Sequence, residues 1–178
     1  MSEPVRCWPT TDPIYIAYHD EEWGRPVRDE RGLYERLCLE GFQSGLAWIT
    51  ILRKREAFRA GFAGFDPDAV SRFGERDVQR LLGDAGIVRH RGKIEAAIAN
   101  ARGVLALRDT TPLPELMWEY RDRDEGAAKE LSKRLKAAGF RFVGPTTVYA
   151  AMQATGIVND HVPSCWVREE VERARRAG

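Results

Sequence analysis

Cysteine is scarce: three residues in 178, too few and too odd in number for a disulfide framework. Cys7, Cys38 and Cys165 are therefore expected to be buried or to bind a metal. No apolar run is long enough for a membrane-spanning helix. The opening residues through Arg6 are polar and lack the basic-then-apolar order of a secretory signal, so a cytoplasmic protein is the expectation. Excess charge of either sign is missing too, with 28 Lys and Arg against 27 Asp and Glu. That balance excludes whole-molecule attraction to a polyanion, so any nucleic-acid contact must come from a local patch or from backbone donors. There are no internal repeats and no low-complexity linkers, and 178 residues fit a single domain over 1–178 with its own core. Strand-like sequence is almost absent. Only Ile14–Tyr18 reads as β-prone, and with Pro13 before it and no partner run it is expected to be extended rather than part of a sheet.

What is present is helical periodicity, which predicts an all-α chain. Asp29 caps a helix whose apolar stripe carries Leu33 and Leu37. Gly41 and Gly45 bracket a break, and a second helix follows over about 46–59. Asp66-Pro67 is a helix start, with proline at the first helical position. Further helices are expected over about 76–82, 90–107, 129–138 and 146–154, with a short element framed by Pro112 and Pro114. The charged tail after Cys165 fits no pattern.

Leu81–Ile87 followed by Arg89–Ile94 is a glycine turn between two helices, the second opening with cations. Such a turn exposes backbone N–H groups at a helix N-terminus, a ready phosphate site, and Arg89, Arg91 and Lys93 can add charge to the same anion. An ordinary αα-hairpin with a solvated basic end has the same sequence. Cys7 and His19 near one end, with His161-x-x-x-Cys165 near the other, supply ligand types suited to tetrahedral zinc. The histidine–cysteine spacing at 161–165 puts both side chains on one helical face. Simple burial of the same residues also fits.

Glu40 lies three residues after Leu37 and seven after Leu33, on the apolar stripe. A carboxylate there is costly unless it has partners or faces a cavity. Either the helix frays there, since Gly41 follows, or Glu40 lines a pocket. Tyr15, Tyr18, Trp23, Trp48 and Gln43 lie close in sequence and could form a slot for a flat ring. A cationic ring gains most there, at about 0.5–2 kcal/mol for each stacked aromatic.

These residues form a recognisable pattern. Asp12–Asp20 with Glu22-Trp23-Gly24, Cys38–Ile49, Asp84–Ile94, Phe142-Val143-Gly144 and Val158–His161 are long contiguous blocks. Together they make the chain, from Cys7 to about Cys165, resemble the bacterial type I 3-methyladenine DNA glycosylases. The resemblance implies a helix-hairpin-helix fold of two closely packed lobes, with the hairpin element near 77–107. It implies one structural zinc per chain, held by Cys7, His19, His161 and Cys165 and joining segments 7–19 and 161–165. It implies a 3-methyladenine pocket of Glu40, Tyr15, Tyr18, Trp23 and Trp48, and a duplex-entering Leu46 beside Gly45. DNA contacts are then expected from Gly45, Leu46, Gly86, Arg89, Arg91 and Lys93. The implied enzyme is a monomeric, monofunctional hydrolase that acts on double-stranded DNA, releases free 3-methyladenine and does not cut the strand. Two competing readings are a non-catalytic module that binds distorted DNA and a glycosylase for 7-methylguanine. Glu40 argues against guanine, which presents an acceptor O6 where adenine presents a donor.

Overall fold

Polar side chains cap five of the ten α-helices among the described residues. Asp12, Asp29, Asp66 and Asp124 each accept a backbone N–H from the first turn of the helix they precede, and His90 Nδ1 does the same for the N–H of Lys93. Each such cap contributes about 1 kcal/mol. The computed structural model describes residues 2–178. Its α-helices are α1 (Pro13–Ala17), α2 (Glu30–Gln43), α3 (Trp48–Gly61), α4 (Pro67–Val70), α5 (Glu75–Leu82), α6 (Arg91–Leu107), α7 (Leu113–Trp118), α8 (Glu125–Ala137), α9 (Pro145–Ala154) and α10 (Arg168–Arg176). There is no strand among the described residues.

Helix α2 runs through the middle of the molecule and packs against α3, α6, α7 and α9. It is therefore buried around most of its circumference, from Leu33 to Phe42, and not only along one stripe. Gly41 does not break it. A Cβ there would lie 3.3 Å from the carbonyl oxygen of Phe142, so glycine permits a close approach inside the helix. The break falls at Ser44–Ala47, where Gly45 takes φ +80°. The rings of Phe42, Phe58, Phe62 and Phe65 stack behind this turn in the core.

A further sequence expectation is corrected, and the tail that fitted no pattern is found folded. Ile14–Tyr18 is helical, not extended: Asp12 caps it, Pro13 occupies its first position, and it leads into a π-helical turn at Tyr18–Glu22. The β-branched and aromatic residues suggested extension, but the local cap decides. The tail also folds, as α10. Its buried residues are Val171 and Arg175. The Arg175 guanidinium donates to the carbonyls of Gly156 and Ile157 and pairs with Glu172 and Asp122. Sequence periodicity missed this helix because a cation fills the buried position below Val171.

Helix α5 ends at Gly83, and a turn leads to α6. Asp84 Oδ1 accepts the N–H of Gly86 at 2.8 Å. A Cβ on Gly86 would come within 2.8 Å of Ala57 Cβ, so the turn rests tightly on α3.

Candidate functional site

The π-helical turn places two successive residues in two different sites. Its wider winding, closed by Trp23 N–H to Tyr18 O at 2.8 Å, lets Tyr18 face one cavity while His19 faces a ligand cluster. The cavity, about 180 Å³, is lined by Trp8, Tyr15, Tyr18, Trp23, Glu40, Gln43, Trp48, Ala150 and Gln153. Helix α1 and the turn supply the tyrosines, α2 supplies Glu40 and Gln43, and α3 begins with Trp48. The rings stand edge-on or tilted to one another, with Trp8 5.1 Å from Tyr15 and 5.0 Å from Trp23, and Tyr18 5.5 Å from Trp48.

Trp8, Ala150 and Gln153 were not singled out from the sequence. Trp8 sits next to Cys7 in a stretch without helical period, so no pattern marked it. Helix α9 was expected from the sequence only as a helix, with no residue on it marked for a site.

Glu40 is 6 % exposed, and its helix continues past it, so it does not fray into solvent. Burial pushes its carboxyl up to about 7, and the Arg36 charge offsets only part of this. No hydrogen bond from the protein stabilises its charged form. Arg36 is engaged elsewhere. It donates to Tyr18 OH at 2.9 Å and to Glu22 at 2.7 Å, behind the rings of Tyr18 and Trp48. Two further pocket groups lack partners: the indole N–H groups of Trp8 and Trp48 are both buried and unpaired.

Against this pocket lies the cluster of Cys7, His19, His161 and Cys165, whose ligand atoms all lie within 4.8 Å of one another. His161 Nδ1 is 3.3 Å from Cys7 Sγ and 3.4 Å from Cys165 Sγ, and His19 Nε2 is 3.6 Å from Cys165 Sγ. The outward ring nitrogens are both held: His19 Nδ1 by Asp20 at 2.7 Å and His161 Nε2 by the Trp23 carbonyl at 2.9 Å. Such outer partners fix which nitrogen faces a metal. Burial drives His161 down to about 4, so its ring is neutral, as a ligand must be. Burial raises Asp20, but hydrogen bonds from Arg6, His19 and Trp166 outweigh it and hold the group at about 2. Soft and borderline donors, inward-facing and converging from both ends of the chain, fit a tetrahedral metal site. Cys38 stands apart, buried in the core.

The residues expected to meet DNA are placed unevenly. Leu46 is exposed at the tip of the Gly45 turn, whose shape is held by Leu46 N–H to Gln43 O at 2.7 Å and by Gln43 Nε2 to Leu46 O at 3.1 Å. Arg89 is exposed. Arg91 reaches the surface but pairs with Glu75 and Glu95. Lys93 turns inward. Its ammonium donates to the carbonyls of Phe42 at 3.0 Å and Ser44 at 2.6 Å, tying α6 to the Leu46 turn. The Gly86 N–H is likewise taken by Asp84. The first-turn N–H groups of Arg91 and Gly92 have no intrahelical acceptor and remain as anion donors.

Comparison with known proteins is consistent along nearly the whole chain. The profile of the family described as "Methyladenine glycosylase" matches residues 8–169. The chain is 48 % identical over 177 residues to DNA-3-methyladenine glycosylase 1 of Escherichia coli (strain K12), covering 90 % of this chain and 95 % of that protein. It superposes on a crystal structure of 3-methyladenine DNA glycosylase I with a TM-score of 0.85 at 46 % identity, over 91 % of this chain and 98 % of the other. It also superposes on a tyrosine-to-phenylalanine variant of such an enzyme in complex with 3-methyladenine, with a TM-score of 0.83 at 34 % identity, over 89 % and 94 % of the two chains. With cavity, carboxylate and Cys/His cluster in one all-helical chain, and with matches of this extent, the protein belongs to the methyladenine glycosylase family.

Proposed function

We propose that this chain is a base-excision repair enzyme that hydrolyses the N-glycosidic bond of 3-methyladenine in alkylated double-stranded DNA. The observation that carries the reading is Glu40, a buried carboxyl with no hydrogen-bond partner at the wall of an aromatic slot. Its relatives carry the name of this activity, and one solved relative holds 3-methyladenine.

A base within a duplex is out of reach, so the nucleotide leaves the stack, at a cost of a few kcal/mol. Leu46 enters the gap, and the hairpin, through Arg89 and the first turn of α6, holds the phosphate backbone. Methylation at N3 makes the adenine cationic. Tyr15, Tyr18, Trp23 and Trp48 hold its ring, and the Glu40 carboxylate accepts hydrogen bonds from the exocyclic amine edge. The ring's positive charge favours the ionised form of Glu40, against the burial that raises it. The C1′–N9 bond breaks with its electron pair going to the base, which leaves as neutral 3-methyladenine. A water oxygen bonds to C1′ and releases its proton to solvent. No protein nucleophile takes part, so the strand is not cut. Glu40 acts chiefly in recognition.

Zinc is the metal this donor set suits, with Cys7, His19, His161 and Cys165 as ligands. Four protein ligands leave no position for a substrate, so the metal's contribution is structural. Pocket and cluster are complete within one chain, which supports action as a monomer.

The test is release of free 3-methyladenine from alkylated duplex DNA, identified by mass, with wild type and Glu40→Gln. Wild-type release with a strongly impaired variant supports the reading. No release by the wild type, with binding to distorted DNA retained, would leave a binding module instead.

A further inference from the structure

The segment Arg141–Val143 carries a feature that the proposed mechanism does not use. Phe142 adopts φ +55°, a left-handed conformation that is strained for a bulky side chain, yet it is 41 % exposed. Core packing does not explain it. Two buried polar side chains hold it in place from both sides. Asn100, on α6, accepts the Arg141 N–H at 2.7 Å and donates to the Arg141 carbonyl at 3.2 Å. Ser132, on α8, donates to the Val143 carbonyl at 2.6 Å. The aromatic ring thus held lies over the start of the hairpin's second helix. It sits edge-on to His90, with ring centroids 6.0 Å apart, and Cε2 comes within 3.9 Å of where a Gly92 Cβ would be. The Phe142 carbonyl meanwhile abuts Gly41, one turn before the Leu46 loop.

We propose that Phe142 is a second apolar DNA contact, stacking its ring on a nucleobase exposed when the damaged nucleotide leaves the duplex. The inference rests on the reading that the hairpin face meets DNA. Within that reading, three things favour a base as the occupant. The ring adjoins the free N–H groups of α6, which would fix a phosphate. Its neighbour Val143 is buried, so Phe142 presents a single exposed aromatic ring at this point, which suits one flat base. It is preceded by the exposed Arg141, whose charge suits a polyanion. The strain at φ +55° is then the means of keeping an aromatic ring outside the core at this point.

The experiment uses a duplex with a stable abasic-site analogue and measures affinity by fluorescence anisotropy over a range of salt. Phe142→Ala should weaken binding by about five- to 150-fold, the range for loss of a base–aromatic stack. Phe142→Trp should restore it. The slope of log affinity against log salt should stay unchanged in Phe142→Ala, because no phosphate contact is lost, whereas Arg89→Glu should lower it by about one. Binding of free 3-methyladenine, followed by tryptophan fluorescence, should be unaffected by Phe142→Ala. Phe142→Gly, which relieves the strained φ, should lose DNA affinity while Tm stays level or rises. Unchanged DNA affinity in Phe142→Ala, with Arg89→Glu still impaired, overturns this proposal and spares the hairpin reading. Unchanged affinity in both variants overturns the hairpin reading as well. A fall in Tm together with loss of 3-methyladenine binding would make Phe142 a packing residue, and the proposal would fall.

Discussion

The Cys/His cluster and the aromatic pocket share a segment, residues 7–23, and differ in how they treat polar atoms. In the cluster each outward ring nitrogen has a partner: Asp20 holds His19, and the Trp23 carbonyl holds His161. In the pocket Tyr18 and Gln43 have partners, but three groups are left open. Glu40 lacks a hydrogen bond, and the indole N–H groups of Trp8 and Trp48 are buried without acceptors. Unsatisfied buried groups cost about 1–3 kcal/mol each. A fold tolerates them where a ligand completes them. The difference fits the two purposes proposed for these regions: a satisfied cluster that ties the chain together, and an unsatisfied pocket that a base would complete. The regions also touch, because Trp8 lies 4.8 Å from His19 and Trp23 lies 4.7 Å from His161. The cluster therefore backs two of the aromatic rings that line the pocket.

The largest effect should come from breaking the cluster. Cys165→Ala removes a ligand that links the two ends of the chain, and loss of such a long-range tie costs about 2–5 kcal/mol by analogy with a disulfide. Thermal melts should show a marked fall in Tm, and metal analysis should fall from about one zinc per chain to none. Because Trp8 and Trp23 pack on the cluster, binding of free 3-methyladenine should weaken along with stability. A variant that keeps its Tm and its pocket affinity would break the comparison, since the cluster would then support nothing.

Glu40→Gln should separate stability from function. For activity, a hydrogen bond to a charged acceptor is lost, about 1.5–3 kcal/mol, so kcat/KM for 3-methyladenine release should fall roughly ten- to 150-fold. For stability the sign is opposite. In the unfolded chain the carboxyl titrates near its ordinary value of 4.5, and in the fold it is pushed up to about 7. The folded state therefore holds a proton that the unfolded state has lost between these values. Wild-type stability falls as pH rises from about 4.5 through about 7, and the deficit is complete above that. The variant, which has no charge to bury, should be more stable than wild type at pH 8 by on the order of 1–3 kcal/mol, and the gap should close by pH 4. Chemical denaturation at both pH values would show it. Equal stability of the two proteins across this range would mean that Glu40 is already compensated in the empty pocket.

The sequence showed the pocket better than it showed the helix that builds it. Tyr15 and Tyr18 were legible as slot residues, yet the run that carries them read as extended because Ile14, Tyr15, Ile16 and Tyr18 favour strands. The signal that decides it, Asp12-Pro13, is the same as Asp66-Pro67, which was legible. Glu40 was legible as misplaced only because it fell on a stripe. That the helix is buried nearly all round depends on α9 and α6, which are distant in sequence. Lys93 illustrates the opposite limit. A cation at a hairpin reads as a phosphate contact, and only the tertiary fold brings the carbonyls of Phe42 and Ser44 to its ammonium. Trp8 had no period or motif to mark it and became visible through its neighbours.

Trp8 also offers the smallest and most selective test of the comparison. Its indole N–H is buried and unpaired, while its ring touches Tyr15, Trp23 and His19. Trp8→Phe removes the orphaned donor but keeps an aromatic ring. If the pocket carries this donor at a cost, the empty enzyme should be no less stable after the change, because a gain of up to about 1 kcal/mol from the lost desolvation penalty offsets the smaller ring's lost packing. Affinity for free 3-methyladenine should fall by a few-fold if the N–H completes its bonding on the base. The same substitution at a satisfied, merely structural tryptophan would give the reverse: lower Tm and unchanged affinity. Trp118 supplies that control, because its Nε1 donates to the Val27 carbonyl at 2.9 Å outside the pocket. Opposite signs for Trp8→Phe and Trp118→Phe would tie unsatisfied polar atoms to ligand binding in this fold, and matching signs would dissolve the distinction between the two regions.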